Sequence, residues 1–179
     1  MKTRLLPSLA GAVLIACGTG AVGSGRGLVQ PEPVRTVILV RHAEKVDESA
    51  DPELSETGSA RALELRRVLA DASVDAIFVS PLRRTRDTAM PLAEAIGVMP
   101  RVVKQGATGN EEVLAGGRAT RDGSTVLIVG HSNTLGPIME GLGAEPIDSF
   151  EAYDNLVVAT LVGERAVSVT RLRYGAKSP

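Results

Sequence analysis

The sequence predicts an α/β domain in which a mostly parallel, doubly wound sheet lies between two layers of helices, with an antiparallel hairpin at one sheet edge. Three observations predict this three-layer sandwich. From Val34 onward, short apolar runs alternate with segments whose apolar residues recur at helical spacing. The last two apolar runs instead follow one another across a tight turn at residues 163–165. The chain has 179 residues, which is enough for one domain and too few for two ordinary ones.

The domain opens with a predicted buried strand at residues 37–40, where four apolar and mostly β-branched residues follow one another. A helix comes next, and Ser55 is a suitable N-cap for it because a serine hydroxyl can accept a hydrogen bond from the first helical turn. Ala62, Leu65 and Leu69 form one apolar stripe at helical spacing. The stripe predicts a helix that packs against the sheet.

A second strand and helix repeat this arrangement. Residues 74–80 form the next apolar run and predict a strand that ends at Ser80. The helix after it is expected to end at Gly97, because glycine readily adopts the left-handed conformation that closes helices. Pro91 is expected to bend this helix. Residues 101–105 predict a third strand.

Residues 106–123 contain five glycines and many polar side chains. This composition predicts a loop with at most one short helix near Glu111. Residues 124–130 predict a fourth strand, and residues 133–143 predict the helix after it. The C-terminal hairpin then completes the sheet.

The first residues are expected to be an export signal. Lys2 and Arg4 precede a short apolar stretch, which is the pattern of a signal peptide. The stretch ends in Leu-Ile-Ala-Cys, which resembles the lipobox of bacterial lipoprotein signal peptides. Residues 1–16 would then be removed, and a lipid on Cys17 would anchor the protein in the bacterial cell envelope, facing the periplasm or the exterior. An ordinary secretory signal and an uncleaved anchor are the alternatives.

A flexible tether at residues 17–33 is expected to join the anchor to the domain at residues 34–179. Residues 18–23 read Gly-Thr-Gly-Ala-Val-Gly and match a dinucleotide-binding pattern. That pattern needs a strand before it and a helix after it, and the flanking residues predict neither. A glycine-rich tether accounts for this segment better.

The composition argues against nucleic acid as a partner. Two Phe and two Tyr are the only aromatic residues, too few for a surface on which bases would stack. A net charge of −1 provides no general attraction for polyanions. An anionic ligand would therefore need a local cluster of basic side chains.

Basic side chains follow three of the predicted strands. Arg41 and His42 end the first strand, Ser80 ends the second with Arg84 close behind it, and His131 follows the fourth. Because ligands bind beyond the carboxyl ends of the strands in open α/β sheets, we expect these side chains to lie together. Arginine binds phosphate through paired, charge-assisted hydrogen bonds, so this cluster indicates a phosphorylated ligand.

Four motifs resemble those of the histidine phosphatase superfamily, branch 1, which has the phosphoglycerate-mutase-like fold. In order, they are VRHAEK at residues 40–45, LSETG at 54–58, SPLRRTRDTA at 80–89 and VGHSNT at 129–134. The resemblance covers about residues 34–155. It implies a phosphatase that needs no metal and no cofactor, because arginines supply the positive charge. Two histidines without clustered Asp or Cys also make a poor metal site.

The resemblance implies roles for four residues. His42 matches the nucleophile that forms a phosphohistidine, and Arg41 matches the arginine beside it. Arg84 and His131 match the second arginine and the second histidine of the family. These groups would stabilise the charged oxygens of the phosphoryl group during transfer.

Three more residues are expected near the phosphate. Ser132 and Asn133 carry hydrogen-bond donors at the start of the helix after His131, where backbone N–H groups also favour an anion. Glu44 closely follows the nucleophile and is expected either to orient it or to bind Lys45.

The general acid of the better-known members of the family has no recognisable counterpart here. Those members carry it in an insertion, and the corresponding stretch of this chain is only residues 98–124. The short stretch implies an open pocket and no cap domain. Glu111 and Glu112 are candidates for the acid by position, and Asp154 is a candidate by its place before a strand.

These interpretations predict an exported, lipid-anchored phosphatase that hydrolyses phosphomonoesters through phosphohistidine at His42. Its partner would be a phosphorylated small molecule or a phosphoprotein. One alternative is a phosphatase of narrow specificity for phosphohistidine proteins or for envelope phosphosugars. Another is a catalytically idle lipoprotein that binds phosphate, although binding alone needs no nucleophile.

Overall fold

The computed structural model describes residues 31–145, 147 and 149–178. The predicted signal peptide, Cys17 and residues 18–23 lie outside the described residues, as does most of the predicted tether. The described part of the chain forms one compact unit, and no helix in it is long and apolar enough to cross a bilayer.

Six strands and four helices make up the described fold. The strands are β1 (Val34–Arg41), β2 (Val74–Val79), β3 (Arg101–Val102), β4 (Thr125–Gly130), β5 (Asn155–Val162) and β6 (Arg165–Arg173). The helices are α1 (Glu56–Leu69), α2 (Arg83–Ile96), α3 (Gly106–Arg118) and α4 (Ser132–Gly141).

The strands form one mixed sheet in the order β3-β2-β4-β1-β5-β6. The first four strands of this order are parallel, whereas β5 pairs antiparallel with β1 and β6 pairs antiparallel with β5. β5 and β6 are the predicted edge hairpin, and the turn between them contains Gly163 at φ 62°. The predicted fold class is confirmed: the sheet is mostly parallel, with antiparallel strands at one edge.

Alternate residues of the central strands point into two apolar layers. On β1, Val37 and Leu39 pack with residues of α3 and α4. Ile38 and Val40 pack with residues of α1 and α2 on the opposite face of the sheet. Both faces of the parallel part of the sheet are thus covered by helices, as parallel sheets require.

The predicted start and apolar stripe of the first helix are confirmed. The Ser55 side chain caps α1 by accepting a hydrogen bond from the Gly58 N–H at 3.1 Å. Ala62, Leu65 and Leu69 are all buried. This face packs α1 onto the sheet beside α2.

The end of the second helix also follows the prediction, but the third strand is shorter than predicted. α2 continues through Pro91 and ends at Gly97, which takes the left-handed conformation at φ 72°. β3 consists of two residues instead of the predicted 101–105. It lies at the sheet edge and pairs only with β2, so few hydrogen bonds define its length.

The prediction of a loop at residues 106–123 is wrong, because most of this segment is the helix α3. Two of its glycines are sites of close packing. A Cβ atom at Gly109 would collide with the Lys104 carbonyl oxygen, and one at Gly116 would collide with the Phe78 ring. Val113 anchors the helix in the apolar layer. These tertiary contacts override the low helix propensity of glycine.

Candidate active site

Three neighbouring parallel strands end at one edge of the sheet and bring their following residues together. β4 lies between β1 and β2, so His131 lies between His42 and Ser80 along this edge. The backbone N–H of His42 donates to the Gly130 carbonyl at 2.9 Å. The rings of His42 and His131 meet edge to face, with centroids 5.2 Å apart.

His42 is 4% exposed and is held in one tautomer. Its Nδ1 atom lies 2.8 Å from the Ala43 carbonyl oxygen. A carbonyl can only accept a hydrogen bond, so Nδ1 carries the proton and Nε2 keeps its lone pair. Burial, together with the neighbouring His131, Arg41 and Arg84, lowers the pKa of His42 to about 3, although the bond to the Ala43 carbonyl acts in the opposite direction. His42 is therefore a neutral imidazole with a free nitrogen at neutral pH.

His131 is the N-cap residue of α4 and is also neutral at neutral pH. Burial, together with Arg84 and Arg41, lowers its pKa to about 4. Its Nε2 atom lies 3.0 Å from the Ser80 hydroxyl, which in turn lies 2.9 Å from the Thr85 hydroxyl. This short chain of polar groups holds the second histidine beside the first.

Arg41 and Arg84 both line the pocket and retain free hydrogen-bond donors. The guanidinium of Arg41 lies 4.1 Å from the centroid of the Tyr153 ring, and it donates to the carbonyl and, at 3.3 Å, to the carboxylate of Glu151. Arg84 donates to the Ala50 carbonyl at 3.4 Å. Within the described residues, the Nε atoms of both arginines have no hydrogen-bond partner. Both side chains can therefore bind an anion.

The pocket in front of these groups has a volume of about 350 Å³. Lys45 and Lys104 add two more basic side chains to its wall. Another part of the wall is apolar and consists of Phe78, Val103, Val113, Ile128 and Ile138. None of the described residues that line the pocket is an aspartate or a glutamate. The pocket is suited to an anionic group at the histidines, joined to an apolar or uncharged group.

Comparison with known proteins shows a similarity to one family. Residues 37–106 match the family model of the histidine phosphatase superfamily, branch 1. Over these residues the chain is similar to this superfamily. The matched residues include the motifs that contain Arg41, His42 and Arg84, whereas the position of His131 in the site is given by the geometry.

Three individual proteins are also similar to this chain. Phosphoserine phosphatase 1 of Hydrogenobacter thermophilus is 42% identical over 66 residues, which are 33% of this chain and 31% of that protein. The match thus spans about a third of the curated relative. A protein of Nakamurella multipartitia assigned as the phosphohistidine phosphatase SixA is 25% identical, with a TM-score of 0.54 over 79% of this chain and 98% of that one. The protein histidine phosphatase SixA complexed with tungstate is 15% identical, with a TM-score of 0.60 over 77% and 96% of the two chains.

Two of the three residues predicted near the phosphate line the pocket. Ser132 and Asn133 occupy the first turn of α4 and belong to its wall. Glu44 does not line it. The Glu44 carboxylate binds Arg61, and Lys45 instead pairs with Glu48. Of the two expected roles of Glu44, the pairing with Lys45 is thus not formed, whereas its place near the phosphate and its orienting role stay predictions.

The two acid candidates on α3 do not line the pocket either. This helix presents Gly106, Gly109, Asn110 and Val113 to the pocket, and these residues recur at helical spacing. Glu111 is exposed. Glu112 accepts from the Lys104 backbone N–H at 3.0 Å and pairs with the Lys104 ammonium at 3.2 Å. These bonds lower the pKa of the Glu112 carboxyl, so it is ionised at neutral pH.

Asp154, the third acid candidate, is buried and also lies outside the pocket wall. Its carboxylate pairs with Arg173 at 2.7 Å. Burial alone would raise the pKa of this carboxyl, but the bond to Arg173 outweighs burial and lowers it. The structure thus brings none of the three candidates to the position of a general acid.

Two residues beside the pocket were not predicted from the sequence. Tyr153 lies against Arg41, and its ring centroid is 5.8 Å from that of His42. Glu151 supplies the carboxylate that contacts Arg41. Both lie shortly before β5, which pairs with β1, and this pairing was visible only in the structure.

Neither histidine is expected to take up a proton near neutral pH. The pKa values of about 3 for His42 and about 4 for His131 lie below the ordinary value of 6.5, so both rings stay neutral as the pH falls through 6.5. NMR titration of the histidine side chains measures this directly, because the chain contains two histidines and therefore only two sets of signals to assign. Both should remain neutral down to a pH of about 5. A midpoint near 6.5 for either ring would contradict the geometry described here.

Proposed function

We propose that this chain is a phosphatase that hydrolyses phosphate monoesters through a phosphohistidine on His42. The observation that carries the proposal is the state of His42: its ring is neutral, Nδ1 is bound to a backbone carbonyl, and Nε2 is free beside two arginines. Nε2 forms a bond to phosphorus while the bond from phosphorus to the leaving oxygen breaks. Water then attacks the phosphohistidine and releases inorganic phosphate.

The surrounding groups stabilise the charge that this transfer places on the phosphoryl oxygens. Arg41 and Arg84 supply fixed positive charge, and His131, Ser132 and Asn133 supply further donors. Such positioned donors are the main contribution of proteins to phosphoryl transfer. The similarity of residues 37–106 to the histidine phosphatase superfamily supports the roles assigned to Arg41, His42 and Arg84.

Turnover of nitrophenyl phosphate by the purified full-length chain tests the proposal. Release of nitrophenolate and phosphate, with inhibition by vanadate as a mimic of the five-coordinate phosphorus, is the expected result. Binding of phosphate without any turnover would contradict it and would favour the idle phosphate-binding protein.

A second candidate function is favoured by the absence of Asp and Glu from the described pocket wall. A positioned carboxylic acid that protonates the leaving group typically contributes about 10²–10⁴-fold to the rate. Without one, substrates with a leaving group that needs little protonation would react fastest. Phosphohistidine in a protein is such a substrate, and the structural relatives include proteins assigned as phosphohistidine phosphatases.

Replacing each of the former acid candidates should leave leaving-group preference unchanged. Glu111→Gln, Glu112→Gln and Asp154→Asn should each keep the wild-type ratio of kcat/KM for an alkyl phosphate to that for nitrophenyl phosphate, within about two- to threefold. The reason is that none of these carboxyls lines the pocket. The same ratio should be measured for Glu151→Gln, because the Glu151 carboxylate contacts Arg41, which lines the pocket. A selective loss on the alkyl phosphate would identify the acid and remove the support for the second candidate function.

We also propose that the protein is exported and anchored in the bacterial envelope by lipid on Cys17. The support is the basic start, the short apolar stretch and Leu-Ile-Ala-Cys. Labelled fatty acid should be incorporated into the wild-type protein during expression in a bacterium and not into Cys17→Ser. Equal labelling of both proteins would contradict the anchor, and cleavage without labelling would favour the ordinary secretory signal.

A further inference from the structure

A buried ion pair lies outside the pocket, behind the segment that follows β1 and contains His42. Arg61 on α1 is 2% exposed. Its Nε atom lies 3.0 and 2.9 Å from the two carboxylate oxygens of Glu44, and Nη2 lies 2.6 Å from Oε1. Burial alone would raise the pKa of Glu44, but the bonds to Arg61 outweigh burial and lower it, so the pair is ionic. Buried ion pairs add little net stability compared with apolar side chains, so stability alone does not account for this one.

The same guanidinium also binds the C-terminal tail that follows β6. Nη1 donates to the Tyr174 carbonyl at 2.9 Å, and Nη2 donates to the Ala176 carbonyl at 2.9 Å. Gly175 between them has φ 68°, a left-handed conformation that lets the tail turn over the guanidinium. Arg61 therefore connects α1, the tail and Glu44.

Glu44 is two residues after His42, and its backbone is fixed as well as its side chain. Its carbonyl accepts from the Ser55 N–H at 2.9 Å. A Cβ atom at Gly58 would collide with that carbonyl, so α1 approaches the loop as closely as glycine allows. Glu44 is thus held by α1 through both its side chain and its backbone.

The carbonyl of the Ala43–Glu44 peptide determines the tautomer of His42. The Ala43 carbonyl accepts the proton of His42 Nδ1 at 2.8 Å. On its other side, the Ala43 N–H donates to the Thr88 hydroxyl at 2.9 Å. Because the Ala43 N–H is bound on one side and Glu44 is held on the other, rotation of the Ala43–Glu44 peptide is restricted, and its carbonyl points towards the His42 ring.

We infer that Arg61 is a positioning residue for phosphoryl transfer: through Glu44 it fixes the Ala43 carbonyl, which keeps the His42 proton on Nδ1 and the lone pair on Nε2. The catalytic consequence rests on the function proposed above. Without Arg61, the Ala43–Glu44 peptide can rotate and the His42 ring can take the other tautomer. The rate of chemistry then falls, while Arg41 and Arg84 still bind the phosphate.

Arg61→Met in the full-length chain, labelled with ¹⁵N-histidine, tests this inference. In the wild type, His42 should show a protonated Nδ1 and an unprotonated Nε2, with the signal assigned by its loss in His42→Asn. In Arg61→Met we expect a mixture of tautomers and a kcat lower by about 10–100-fold, the size of loss known for groups that orient metal-bound histidines. KM should stay close to the wild-type value. Arg61→Lys, which keeps the charge but not the forked geometry, should recover part of kcat.

Arg67→Met is the matched control, because Arg67 lies on the same helix and pairs with Glu64 at the surface. It should leave both the tautomer and kcat unchanged. If Arg61→Met does not fold, Glu44→Gln decides, since it weakens the same ion pair from its other side and should give the same mixture of tautomers and the same loss of kcat. A wild-type tautomer or a wild-type kcat in the folded variant would overturn the inference. Absence of turnover in the wild type would instead reject the proposed function, and the tautomer comparison would still decide the role of Arg61.

Discussion

Replacement of His42 by alanine is expected to lower kcat for nitrophenyl phosphate by at least about 10⁴-fold, because removal of a covalent nucleophile has effects of this size. In this chain His42 is the neutral imidazole with its Nε2 free at the edge of the pocket. The second histidine that lines the pocket, His131, has its Nε2 bound to the Ser80 hydroxyl instead. Steady-state kinetics measures the loss, and a burst of product in the first turnover should disappear with it.

His42 is buried, so its replacement needs a test of folding. Binding of vanadate to Arg41 and Arg84 should persist in His42→Ala, although more weakly, if the pocket remains formed. Activity that survives in a folded His42→Ala protein would contradict the account. Wild-type kinetics for the variant would show that the phosphoryl group never bonds to this residue.

Replacement of Arg84 by methionine should lower kcat by about 10³-fold, because a positioned arginine contributes about 10³–10⁵-fold to phosphoryl transfer in other systems. Arg84 lines the pocket, and within the described residues no carboxylate neutralises it. Methionine keeps the apolar stem of the side chain and removes the charge. Vanadate should also inhibit this variant far less than it inhibits the wild type.

The neighbouring residue supplies a matched control. Arg83 lies outside the pocket wall, pairs with Glu53 at 2.9 Å and is largely exposed. Arg83→Met should therefore change kcat by no more than about twofold, the range of ordinary surface substitutions. Equal losses in both variants would indicate a general effect of charge and would contradict a specific role of Arg84.

The edge of the sheet where the site lies could be predicted from the sequence because parallel strands end on one side. The apolar runs before His42, Ser80 and His131 are all strands of the parallel part of the sheet. The order of these strands was not needed, since any neighbouring arrangement brings their carboxyl ends together. The chemical roles assigned to these residues stay predictions until the variants are measured.

The helix α3 could not be predicted because the signal depends on distant contacts. Gly109 and Gly116 indicate a loop by composition, whereas in the structure they allow close approach to Lys104 and Phe78. Because this segment is a helix, the helical spacing of its residues determines which side chains face the pocket. Glu111 and Glu112 were therefore candidates by sequence position only, and the helix directs them away from the pocket.

The partner of Glu44 was missed for a similar reason. Glu44 is 17 positions from Arg61, and Arg61 is 113 positions from Tyr174. Nothing local indicates that the C-terminal tail returns to α1. Local sequence therefore indicated a carboxylate near the nucleophile but not the side chain that it binds.

The most direct test of the account is to locate the phosphoryl group on the enzyme. Rapid quenching in alkali during turnover, followed by ³¹P NMR and peptide mapping, distinguishes phosphate on Nε2 from phosphate on Nδ1 of each histidine. The bond between Nδ1 of His42 and the Ala43 carbonyl leaves only Nε2 to react. The account predicts phosphate on Nε2 of His42. Phosphate on Nδ1 of His42, phosphate on His131, or turnover with no phosphoenzyme at all would contradict it.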